Sequence, residues 1–247
     1  MTLILVRREK THTVILSEVE GSFVISHKVI GVGVLRILRL RYASLRMTRG
    51  CKPPDPGHSY TGLMRISADF TVVPDDFAKA AAPEYRVDGI PVVSFPFYID
   101  EIKPGARYLH WEFVDPDSIP VCGFEWIHWS VANLPIDALM YDFNDSHALA
   151  IPPDFSRQLP AMIPEAVQGR NSSASKFLGR ASDPAVTMRY NGPQPPDKDH
   201  EYYLQVWATE KPLPGLNQGF WLNELLHALR GCGEAPDSDG IFLTGRA

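Results

Sequence analysis

Two short stretches of the chain gather titratable side chains beside aromatic ones. The first runs Asp115, Pro116, Asp117, Ser118, Ile119, Pro120 and, past a Cys122–Gly123 turn, reaches Trp126, Ile127, His128 and Trp129. The second runs from Tyr190 and Asn191 through Gly192, Pro193, Gln194, Pro195 and Pro196 to His200, Glu201 and Tyr202. Side chains alternate faces along an extended strand, so Trp126 shares a face with His128, and His200 with Tyr202. A strand ending in Asp-Pro-Asp carries a carboxylate at its mouth, able to accept from an imidazole and fix its orientation. Gly192 and the proline-restricted backbone around Gln194 make a stiff rim that can turn N–H groups towards a ligand. Two imidazoles, a phenol and backbone donors, oriented by Asp115, form a donor set suited to a small oxyanion such as phosphate or a carboxylate.

Each residue also has a plainer role. A histidine on a strand is commonly a satisfied structural group, Asp115 could cap a turn, Tyr202 could belong to the core, and Trp126 and Trp129 read as packing residues. Metal chemistry is not indicated. The H-E-x-x-H spacing is absent, and Cys51, Cys122 and Cys232 are widely spaced without C-x-x-C pairing. No metal and no cofactor is expected. A second class of function uses the same groups: a hydrolase or lyase with a pocket histidine as general base. Against it, no G-x-S-x-G elbow is present, and Cys122 is expected to pack in its loop.

The elements that must position these residues read mainly as strands. Ile90–Ile99, Arg107–Val114, Trp126–Leu134 and Glu201–Ala208 have the period of two, with Leu109, Trp111 and Phe113 on one face and Tyr108, His110 and Glu112 on the other. From Phe220 to Arg230, Trp221, Leu222, Leu225, Leu226 and Leu229 follow helical spacing, with Gly231 placed as the stop. Pro135 to Tyr190 shows little periodicity and reads as a long loop. A mainly β domain closed by one amphipathic helix is expected.

At these residues the sequence resembles a known family. DPDSIP, WIHW, ANLP, GRNS and YNGPQPPDKDHEYYLQVWA together look like the two signature regions of the phosphatidylethanolamine-binding protein family, in its bacterial Raf kinase inhibitor-like (YbhB/YbcL-type) branch. The resemblance covers roughly Ser67 to Leu229. It implies a β-sandwich: a central antiparallel sheet, a second smaller sheet, short flanking helices and an anion pocket at one end. By motif position the implied ligand-binding residues are Asp115, Asp117, Pro120, Trp126, His128, Gly192, Gln194, Pro195, His200 and Tyr202. A small phosphate- or carboxylate-bearing ligand is expected, with a kinase or another protein as the partner it could modulate. Eukaryotic relatives bind kinases and phospholipid headgroups, but the resemblance alone transfers neither to this chain. Because relatives dimerise, a homodimer through a sheet face is compatible with it. Three departures stand out. Gln194 stands where many relatives have Gly or another small residue, so the rim could be narrower or offer an extra amide donor. The insertion between Pro135 and Gln168, with His147, Phe155 and Met162, could cover the pocket or extend an edge, and is expected to be a solvated loop. The polar, glycine-containing stretch from Cys232 to Gly240 is expected to shorten the last strand or leave that end irregular.

Charge divides the chain. Residues 1–63 carry 10 basic and 4 acidic side chains, net +6, whereas residues 64–247 carry 14 and 25, net −11. An acidic body argues against nucleic acid as the partner and confines anion binding to a local site. The apolar stretch Phe23–Leu40 is interrupted by Lys28, Arg36 and Arg39, so no transmembrane segment is expected. With the order of Leu3–Val6 and Arg7–Arg8 wrong for a signal peptide, and no paired cysteines, a cytoplasmic setting is expected. The wording VILSEVEGS and YASLRMTRG resembles translated bacterial intergenic repeats. Residues 1–63 are therefore expected to be a poorly structured leader from a mis-assigned start, the alternative being a genuine basic arm, folded or not, and the natural product to begin near Met64. A single domain over 64–247 follows.

Overall fold

The computed structural model describes residues 63–141, 148–178, 183–233 and 235–247, together with strand backbones at 8–9, 12–19 and 22–29. The chain divides into two units, Met1–Pro53 and Pro54–Ala247. In the first, β1 (Arg8–Glu9), β2 (His12–Val19) and β3 (Ser22–Val29) pair antiparallel in that order. The rest of residues 1–62, nearly all of the expected leader, lies outside the described residues.

The second unit is mostly β. Its strands are β4 (Arg65–Ser67), β5 (Arg86–Val87), β6 (Ile90–Pro91), β7 (Phe97–Asp100), β8 (Tyr108–Asp115), β9 (Trp126–Pro135), β10 (Met140–Tyr141), β11 (Leu149–Ile151), β12 (Val167–Gln168), β13 (His200–Thr209) and β14 (Asp237–Gly245). Short helices α1 (Ile119–Cys122), α2 (Phe155–Met162), α3 (Pro184–Thr187) and α4 (Leu222–Gly231) flank them. A five-stranded antiparallel sheet has the order β12-β9-β8-β13-β14, a four-stranded one β10-β11-β7-β4, and β5 pairs with β6.

Alternation along the strands builds the core. Leu109, Trp111 and Phe113 of β8 share one buried cluster with Trp129 and Val131 of β9, Tyr202 and Leu204 of β13, and Phe97, Ile99 and Leu149 of the smaller sheet. Aromatic rings meet there edge to face, Phe95 on Phe113 and Trp111 on Trp129, each at 5.0 Å between centroids. On the opposite face of the large sheet, Val114 and Ala132 pack with Leu222, Leu225 and Leu229 of α4. The apolar stripe read in the sequence is the stripe that α4 buries.

Four expectations are corrected. Ile90–Ile99 is not one strand: only Ile90–Pro91 and Phe97–Asp100 are strands, and 92–96 runs between two different sheets. The region after Pro135 is not a solvated loop. Its β10 and β11 extend the smaller sheet, while Phe155 and Leu159 of α2 are 1% and 0% exposed. Met162 is exposed, and His147 lies outside the described residues. Gly231 is the last residue of α4 rather than its stop, Cys232 being the cap. Nor is the last strand shortened, since β14 pairs with β13 from Asp237↔Ala208 to Gly245↔His200. Its glycines have a packing reason: a Cβ on Gly240 would lie 2.5 Å from the Tyr203 hydroxyl, and one on Gly245 2.5 Å from the Tyr202 ring.

Candidate functional site

The Asp-Pro-Asp run closes β8 and opens a tight turn. Asp115, the last residue of β8, is extended and caps a 3-10 turn at Pro116–Ser118, its Oδ1 accepting from the Ser118 N–H at 3.1 Å. Pro116 sits in the first turn, where its missing N–H costs nothing, and Gly123 ends α1 with φ at 90°. The Ser118 hydroxyl ties the turn to the next strand by accepting from the Trp126 N–H at 2.8 Å. Asp115 is therefore a turn cap and more. Its Oδ2 faces the buried His200 Nδ1 at 2.8 Å, and its charge helps raise the Tyr202 pKa.

His128 occupies a β-bulge. The β8–β9 register moves from Phe113↔Trp129 to Val114↔Ile127, so β9 spends one extra residue there. The bulge breaks strict alternation: Trp129 enters the core, and His128 also faces inward, its ring 5.7 Å from Phe113 and 5.1 Å from Tyr202. Asn191 clamps the imidazole. The Asn191 N–H donates to the His128 carbonyl at 2.9 Å, and the Asn191 carbonyl faces His128 Nδ1 at 2.8 Å. The Ser173 hydroxyl donates to Asn191 Oδ1 at 2.7 Å, and Asn171 caps the Ser172–Ala174 turn that carries it.

These contacts assign the protons. A carbonyl can only accept, so His128 carries its hydrogen on Nδ1 and turns an Nε2 lone pair towards the cavity. Burial, partly offset by the Asn191 carbonyl, lowers its pKa to about 4 and keeps the ring neutral. His200 is the opposite case: Nδ1 faces Asp115 and Nε2 faces Asp197 Oδ1 at 2.9 Å. Both acceptors are carboxylates, so both nitrogens carry hydrogen. Burial pulls the His200 pKa down, but its bonds to Asp115 and Asp197 outweigh it and leave the pKa raised. Burial and the Asp115 charge hold the Tyr202 phenol protonated.

A cavity of about 230 Å³ brings Asp115, Trp126, His128, Gly192, Gln194, Pro195, His200 and Tyr202 together. Asp117 and Pro120 stand outside its lining. The Asp117 carboxylate instead accepts from the Glu201 N–H at 3.0 Å, and Pro120 is exposed in α1. The rim also differs from expectation. The Gly192 N–H donates to Pro91 O at 2.8 Å, so it is not turned towards a ligand. Gly192 is there for space: a Cβ would lie 2.3 Å from Phe77 O. Cys122 lines the cavity while its thiol lies 3.3 Å from both the Ser118 and the Phe124 carbonyl, either of which can accept its one hydrogen. Ser118, Ser173 and Asn191 are lining residues that strand spacing could not reveal. Their one local signal is polar, turn-forming composition next to the signature runs.

A family model for the phosphatidylethanolamine-binding protein matches residues 71–236, and the chain belongs to that family. It is 41% identical over 156 residues to the uncharacterized protein YxkA of Bacillus subtilis, covering 63% of this chain and 84% of that one. A UPF0098 protein of Archaeoglobus fulgidus is 28% identical over 151 residues, covering 60% of this chain and 41% of the relative. Among solved structures, YbcL of E. coli, described as a member of the mammalian PEBP family, shares the fold. Its TM-score is 0.52 at 19% identity, with 74% of this chain and 98% of that one covered. Among the described residues, no helix is long and apolar enough to cross a membrane.

Proposed function

We propose that residues 64–247 form a binding domain for a small phosphate- or carboxylate-bearing group, and that the cavity between the ends of β8, β9 and β13 is its site. The observation that carries this reading is the juxtaposition of the buried Asp115–His200 pair, the Tyr202 hydroxyl and His128 Nε2 in one small cavity. A neutral His128 accepts rather than donates, which suits a singly protonated phosphate: its P–OH donates to Nε2 while its charged oxygens meet the His200 imidazolium. A carboxylate ligand has no such hydrogen, so phosphate is the better fit. The cavity shares Ile90, Ser173, Gln194 and Pro196 with a groove of about 720 Å³ that adds Lys79 and Asp88. That continuity favours a phosphate carried on a larger molecule, such as a headgroup. A protein partner, kinases included, would meet the same mouth, where Ile119, Val121 and Phe124 are exposed.

Phosphate titration followed by amide chemical shifts tests the reading. Saturable shifts at His128, Asn191 and His200 are expected in the wild type, and their loss in His128→Ala with the fold retained. Undiminished binding in both His128→Ala and Asp115→Ala would remove the assignment.

A further inference from the structure

Two donors beside the cavity are committed to the backbone: the His128 Nδ1–H goes to Asn191 O and the Gly192 N–H to Pro91 O. The His200 Nε2–H differs, because its acceptor is the Asp197 carboxylate, whose side chain is 53% exposed while the His200 ring is fully buried. Asp197 lies in an exposed bend, Pro196–Lys198, held upstream by the Lys79 ammonium on Pro195 O at 2.9 Å. Moving it opens no core, and it frees one buried donor, the His200 Nε2–H, for a new acceptor.

We propose that the Asp197 carboxylate is a built-in competitor for the anion site: it holds the His200 Nε2–H, and an anionic ligand binds by exchanging for it. This inference rests on the pocket reading above and adds the residue that sets its affinity threshold. Charge balances through the exchange. The imidazolium keeps two anionic neighbours throughout, Asp115 on Nδ1 and either Asp197 or the ligand on Nε2, while the released carboxylate passes to water. A weakly coordinating anion gains little over a carboxylate already in place, whereas a phosphate adds the P–OH contact to His128 Nε2 and displaces it. Asp197 thereby sets selectivity without touching the ligand in the final complex.

The test is a sodium phosphate titration of the labelled full chain at pH 7 and constant ionic strength. On saturation the Asp197 13Cγ resonance is expected to move towards that of a free carboxylate. Asp197→Asn is expected to lower the apparent Kd about three- to tenfold. Asp137→Asn, which removes a like charge at the far end of β9, should leave the Kd within about twofold. An Asp197 resonance unmoved at saturation, or unchanged or weaker binding by Asp197→Asn, overturns the exchange while leaving the pocket reading in place. Phosphate shifts that map away from His128 and His200 in every variant overturn both.

Discussion

Replacing Asp115 by asparagine isolates what the buried carboxylate does. Asp115 and His200 are 4% and 1% exposed, and the two carboxylate oxygens serve Ser118 N–H and His200 Nδ1–H separately. Asparagine keeps one oxygen, so one of these donors must face an NH2 group. The change removes a charge-assisted bond of about 1.5–3 kcal/mol and sets donor against donor. The half-exposed Asp197 still neutralises part of the imidazolium. The expected loss is therefore about 2–4 kcal/mol, at the low end for breaking a buried ion pair. Its pH dependence is a second signature. The His200 pKa is raised above 6.5, so its stabilisation is fully present below pH 6.5 and disappears as pH rises through the folded value. Asp115→Asn shrinks that gain, so the destabilisation should be larger at pH 6 than at pH 9.5. Urea unfolding followed by tryptophan fluorescence at the two pH values measures it, with an unchanged m value as the check on two-state behaviour. A loss under about 1 kcal/mol at pH 6, or the same loss at both pH values, would refute the paired-carboxylate account.

Two further outcomes follow from the sheet. Burial first, and the Glu125 charge second, raise the Glu112 pKa to about 7. The folded state then keeps a proton that the unfolded chain loses between about pH 4.5 and 7, so this group lowers stability across that interval. Glu112→Gln should be about 1–3 kcal/mol more favourable, relative to wild type, at pH 8 than at pH 4, and equal differences in denaturation at the two pH values would count against it. In β14, Gly245→Ala puts a Cβ 2.5 Å from Tyr202 Cε2 and 2.7 Å from Pro193 Cβ. It should cost about 1–3 kcal/mol and weaken phosphate binding by shifting the Tyr202 hydroxyl. Gly231→Ala, with open space around it in α4, should be neutral or stabilising, and a calorimetric Tm that ranks the two alanines the other way would contradict the packing argument.

Much of the fold was legible because it rests on short-range periodicity. The inward set Leu109, Trp111 and Phe113 and the helical stripe Leu222, Leu225 and Leu229 are visible in the alternation and appear as core in the structure. Where local order was read too literally, partners far along the chain prevailed. Pro135 to Gln168 looked aperiodic because its two- and three-residue strands are too short to show a period, yet β11 is held by β7 and α2 by the core. The polar stretch ending at Gly240 looked like a break in the last strand, although Gly240 is where the Tyr203 hydroxyl leaves no room for a side chain.

The same division runs through the site. Sequence alone determined which groups could meet: Asp115 at a strand end, His128 beside Trp126, and His200 with Tyr202 on one face of a strand, because adjacency and alternation are properties of a short extended chain. Only the tertiary structure decided what those groups do. His128 is an acceptor because Asn191, 63 residues away, takes its hydrogen, and His200 is an imidazolium because Asp115, 85 residues away, faces its Nδ1 while Asp197 faces its Nε2. The placement of Asp197 over Nε2 depends on how the Pro196–Lys198 bend enters β13. Protonation and hydrogen-bond direction belong to pairs of groups, and here the decisive pairs are made by β8 beside β13 and by the Asn191 loop against β9, segments distant in the chain.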